Sequence, residues 1–160
     1  MTALPREIEA DPSYARIRAR IDAGHHRLWA GGQLLVPVLP LLPALAAALA
    51  AAARARHLVL GLEGAADALA AEAYGLAQRP GPAARARISR LLLLSQDGAE
   101  RLYRHAERLG EMHAPRLLIA LIGADAPTLG HTVTGRAAAV KAVLVQRKQA
   151  VAEVLRALAA

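Results

Sequence analysis

Apolar positions along this chain recur mostly at spacings of three and four, the period of an amphipathic helix. After the cap signal Asp11-Pro12-Ser13, Ile17, Ile21 and Leu28 mark one side of a first helix expected over residues 14–26. Arg16, Arg20 and Arg27 occupy neighbouring positions on it. Gly31-Gly32 and the stretch around Pro37, Pro40 and Pro43 read as an extended connector, with Pro43 in the first turn of the next helix. An Ala-rich helical stretch over 44–77 follows, broken near Gly61 or Gly64, and residues 78–82 form the clearest loop. Beyond it the pattern predicts helices over 83–95, 99–109, 116–122 and 135–158, with 123–130 as a loop. In the first of these Ile88, Leu91, Leu92 and Leu94 are apolar; Asp97, in a turn at 95–98, is placed to cap the second. In the last, Val140, Leu144, Val151, Leu155 and Leu158 oppose Lys141, Lys148 and Arg156. The expected fold is all-α: a six- to seven-helix bundle in one domain over 1–160, with 78–82 as the point where two small helical halves would meet.

Composition strengthens that expectation. The 160 residues include 40 Ala and 27 Leu, both strong helix formers, and no Phe. A β-sandwich or barrel would want more β-branched and aromatic residues, and a disordered chain would not reach 55% hydrophobic. The absence of Cys excludes a disulfide framework, a thiolate zinc site and a Cys nucleophile. The acidic, polar N-terminal stretch is unlike a signal peptide, so the expected location is cytoplasmic. Residues 34–53 carry no charge and reach the length of a membrane span, but their three prolines argue against spanning. They suit a buried segment, or an apolar face docking to a partner helix or membrane surface.

Chemistry-bearing motifs are sparse. The six His residues are scattered; Asp22 with His25, and Glu107 with Glu111 and His113, are the nearest approaches to a metal set, and they read as solvated positions. With no phosphate loop, nucleophile elbow or zinc-protease motif, the expectation is a protein without catalytic activity, metal or cofactor. The charge is more informative. Eighteen Arg and two Lys against 13 acids give +7, which attracts polyanions. Arg101, Arg104 and Arg108 share one helical face, with Arg85, Arg87 and Arg90 just upstream. Guanidinium groups bind phosphate bidentately, and a chain with 2% aromatics does little base stacking. Any nucleic acid is therefore expected to be held by its backbone.

The order of these motifs resembles the CasB family, the small helical subunit of the type I-E CRISPR Cascade complex. The stretch Arg87-Ile88-Ser89-Arg90-Leu91-Leu92 is similar to that family's Arg-(Phe/Ile)-x-x-Leu-Leu segment. Leu102-Tyr103-Arg104 and Leu109 fall where its next helix carries a Leu, a basic pair and an apolar position. Ile17-Arg18-Ala19-Arg20 resembles its N-terminal apolar-Arg-Arg element, and the proline segment and Arg56-His57-Leu58-Val59 resemble its middle region. Where the family has Asp-Trp and a further Trp, this chain has Pro115-Arg116 and Gly123-Ala124. The resemblance implies an all-α, non-catalytic subunit of an RNA-guided antiviral complex. Such a subunit self-associates as a dimer beside its partner subunits and contacts guide RNA and displaced single-stranded DNA. Carried over by position, Arg18, Arg20, Arg87 and Arg104 are the implied phosphate contacts. With Arg90, Arg101 and Arg108 from the helical pattern, they make seven candidate nucleic-acid-binding residues.

Overall fold

Four consecutive leucines, Leu91-Leu92-Leu93-Leu94, set the architecture. In the computed structural model, which describes residues 2–23, 25–79 and 86–160, they lie in a strand, β5 (Arg90–Leu94). Leu91 and Leu93 face one side of the sheet, Leu92 and Leu94 the other, and all four are buried. A sheet covered on both faces needs apolar side chains at every position rather than at alternate ones. The protein is therefore a layered α/β fold, which overturns the all-α helical bundle expected from the sequence.

The main sheet has the order β3 (Val38–Leu39), β6 (Leu117–Ile122), β5, β7 (Ala142–Val145), β4 (Leu58–Leu60). β3, β6 and β5 run parallel; β7 is antiparallel to both β5 and β4. In register, Leu92 lies opposite Ile119 on one side and Leu144 on the other. One face is covered by α1 (Arg6–Glu9), α2 (Tyr14–Asp22), α3 (Pro43–Arg54), α6 (Ala126–Thr134) and α7 (Lys148–Ala157). Ile8, Ile17, Leu49, Leu129 and Val151 meet Leu91, Leu93 and Val143 there. The other face carries α4 (Leu62–Ala77) and α5 (Glu100–Met112), whose Leu69, Tyr103 and Leu109 meet Leu92, Ile119 and Leu144. A small antiparallel pair, β1 (His26–Arg27) with β2 (Leu35–Val36), brings Trp29 to this second face.

The corrections follow from these layers. The helix expected over 83–95 is replaced by β5, with residues 83–85 outside those described, as are 80–82 of the expected loop. The helix expected over 116–122 is β6, and that over 135–158 is β7 followed by α7. The 123–130 loop contains the start of α6, whose first turn is capped by Asp125 accepting from the Thr128 N–H at 2.9 Å. Asp97 does not cap α5; it accepts from the Ala126 N–H of α6 at 2.9 Å. The first helix stops at Asp22, and His26 belongs to β1. The 44–77 stretch divides into α3, β4 and α4, with Gly61 at φ 93° just before α4, while Pro43 opens α3. Among the described residues no helix is long and apolar enough to cross a membrane. The apolar side of α3, Leu45, Leu49 and Ala52, is spent inside the core.

Candidate polyanion interface

The helix expected over 99–109 forms as α5, because Tyr103, Ala106 and Leu109 recur at helical spacing and bury one side of it. Tyr103 also fixes the turn that leads into it. Its hydroxyl donates to the Ser95 carbonyl at 2.6 Å and accepts from the Gly98 N–H at 2.8 Å, and burial pushes the phenol pKa up. The opposite side of α5 presents Arg101, Arg104 and Arg108, all exposed, and ends in Met112, 69% exposed. Arg104 lies 4.4 Å over the Trp29 ring and 3.3 Å from Glu100, a cation–π contact and an exposed ion pair. Arg101 and Arg108 have no ion-pair or hydrogen-bond partner among the described residues.

The loop that carries Trp29 is held from within α5. Glu107 is buried, and its carboxylate accepts from the Gln33 N–H at 3.2 Å and the Leu34 N–H at 3.3 Å. Gly32 makes room for this: a Cβ there would meet Glu107 Oε1 at 2.7 Å and Trp29 Nε1 at 3.1 Å. Neither role was legible in the sequence, where Gly31-Gly32 read as a connector and Glu107 as a solvated acid. The pair of glycines one residue beyond the only Trp, after Ala30, was the available signal. Exposed Arg27 on β1, two residues before Trp29, adds a further cation that the sequence reading placed on the first helix.

The other four candidate arginines are not gathered with these. Arg18 and Arg20 sit on α2, whose Ile17 and Ile21 pack on the opposite face of the sheet. Arg18 is tied to Asp22 at 2.9 Å and to the Thr2 carbonyl, and its guanidinium holds the Asp22 carboxyl below its ordinary pKa. Arg20 is exposed. Arg87 bonds the Leu4 carbonyl at 2.9 Å and pairs with Glu9 at 2.7 Å. Arg90 is locked against Glu72 of α4 at 2.9 Å, and Arg116 reaches the same carboxylate at 3.1 Å. His113 lies against this cluster, 7% exposed, with Nε2 unpartnered; burial, then Arg116, hold its pKa below the ordinary imidazole value. Arg85 lies outside the described residues. Among those described, no group of three His, Asp or Glu side chains is arranged to hold a metal ion.

Taken together, the fold is an α/β layered sheet with an arginine-bearing helix on one face. A solved structure of a protein of unknown function from Bacillus halodurans C is similar to it, with a TM-score of 0.50. The match is 17% identical in sequence and covers 72% of this chain and 95% of that one, a likeness of fold. No family model matches the chain, and neither does a curated protein sequence. The sheet contradicts the all-α architecture that the CasB resemblance implies.

Proposed function

We propose that the protein binds the phosphate backbone of single-stranded nucleic acid through Arg101, Arg104 and Arg108 of α5, without catalysis and without reading base sequence. The observation that carries this is the exposed arginine face itself, on which Arg101 and Arg108 have no acidic partner among the described residues. About 10 Å of helix axis separates these two. At about 3.4 Å per phosphate along one strand of a duplex, and more in an unstacked strand, the three guanidiniums meet different phosphates. The net charge of +7 adds long-range attraction. Trp29 is already covered by Arg104, so stacking contributes little. The guide-RNA and Cascade setting came with a resemblance to an all-α family, an architecture this chain does not share, and it is left out of the proposal. A cytoplasmic location and self-association go with the proposal as its setting, and light scattering is the measurement that would check the latter. The alternative, docking through 34–53, has less support, because α3 already buries its apolar side within the fold.

The test is fluorescence anisotropy with a labelled single-stranded DNA and RNA across a salt series. Binding should weaken with salt at a log–log slope of about −0.7 per phosphate contact. Charge reversal at Arg101, Arg104 and Arg108 together should reduce the slope by about 2 and the low-salt affinity by at least about tenfold. Reversal at Arg20, on the far face, should change little. No binding at low salt, or an unchanged triple variant, would overturn the assignment.

A further inference from the structure

β4 is an edge of the main sheet, with β7 on one side and, among the described residues, no strand on the other. We propose that this edge pairs with the same edge of a second copy of the chain, antiparallel about Val59, joining the two sheets into one. The pairing gives the self-association named above a surface, and it rests on no nucleic acid.

The register leaves the necessary groups free. Val59 lies opposite Leu144 of β7. To either side, the Gln146 N–H donates to the His57 carbonyl at 2.9 Å and the Gly61 N–H to the Ala142 carbonyl at 2.8 Å. In an antiparallel ladder alternate residues turn both backbone groups to the same neighbour. Residues 57, 59 and 61 therefore serve β7, while Leu58 and Leu60 turn their N–H and C=O outward. Those four groups have no hydrogen-bond partner among the described residues. A copy centred on Val59 sets Leu58 opposite the partner's Leu60, and each such pair exchanges two hydrogen bonds. Side chains agree. Leu58 packs against the core that holds Leu91, and Val59 against the core that holds Leu92, so the two point to opposite faces. Leu60 shares the face of Leu58 and is 42% exposed. The pairing brings the partner's Leu58 beside it.

Charge selects both the occupant and its direction. Arg54 and Arg56 stand before β4, and Glu63 and Asp67 after it. All four are exposed, and none has an ion-pair partner among the described residues. Lys141, next to Ala142, adds one cation at the acidic end without reversing its sign. The two-fold about Val59 sets the basic end of each copy against the acidic end of the other, whereas a parallel copy would set like on like. A second copy carries that complement at both ends by symmetry. Three residues of strand bury little area, so the dimer is one that dissociates on dilution.

The experiment is sedimentation equilibrium of the full chain over a concentration series, without nucleic acid. A reversible equilibrium between 16.8 kDa and twice that mass is expected. Leu60→Pro removes an outward N–H and spares the ladder to β7, so it should raise the dissociation constant at least about tenfold. Arg56→Glu alone and Glu63→Arg alone should each weaken the dimer several-fold, and the double variant should return it to within about twofold of wild type. A chain still monomeric at millimolar concentration would overturn the proposal, as would assemblies beyond the dimer. So would a dimer indifferent to Leu60→Pro, or single reversals that the double variant does not rescue. Circular dichroism checks that each variant is folded; if Leu60→Pro is not, the charge exchange decides alone. Arg101, Arg104 and Arg108 are untouched throughout, so the edge pairing and the α5 assignment stand or fall separately.

Discussion

His113 is buried beside Arg116, while Glu72 pulls its proton affinity the other way. Unfolded, its imidazole takes a proton near pH 6.5. Folded, it stays neutral to lower pH, so below that value the unfolded state binds more protons and stability falls. The contribution is fully present above about pH 6.5 and is lost as pH drops through the folded value. Urea titrations at pH 7.5 and pH 5.5 should show a loss of stability in the wild type that is smaller in His113→Gln; equal losses would remove His113 from the account. The same scale explains which arginines the sequence could place. Arg101, Arg104 and Arg108 are legible as a group because helical spacing alone sets their common face. Arg87 and Arg90 are not, because the carboxylates that occupy them, Glu9 and Glu72, come from other elements.

Elements were harder to read than faces. A run such as Leu91-Leu92-Leu93-Leu94 or Leu117-Leu118-Ile119-Ala120 fits a buried helix and a doubly covered strand equally well by periodicity, and Leu tips the balance the wrong way. Val140 and Leu144 fall four apart by coincidence: one precedes β7 and the other lies within it, and both are buried, as a helix would also have required. Where a breaker was explicit the reading was good, as at Pro43 and Gly61. Gly130 carried a signal that no pattern reveals. A Cβ there would run into the Ala138 carbonyl oxygen, so α6 packs against the backbone of the segment leading to β7. Gly130→Ala should cost about 1–3 kcal/mol or more, because backbone must move. Gly75→Ala, on α4 with open space around it, should be neutral or stabilising by about 0.5–1 kcal/mol. Thermal melts compare the two; a neutral Gly130→Ala would contradict the α6 packing.

For the molecule as a whole, 78–82 suggested two helical halves, yet the main sheet draws β3 and β4 from before that segment and β5, β6 and β7 from after it. Neither set of strands buries its faces without the other's helices: α3 packs on α6 and α7, and α4 on β7. Unfolding should therefore be a single transition. Leu45→Ala and Leu92→Ala, one from each side of 78–82 and one from each face, should each cost about 2–5 kcal/mol. Both should shift the same urea curve whether followed by Trp29 fluorescence or far-UV circular dichroism. Two separable transitions would show that the halves fold independently.

The margins of that sheet are its shortest strands. β3 pairs through two residues with Pro37 and Pro40 on either side, and β4 through three. Prolines supply no amide, so the β3 margin gives an approaching strand almost nothing to zip onto. That margin is thereby guarded against strand addition. A strand that approaches there meets side chains and proline rings rather than a backbone ladder.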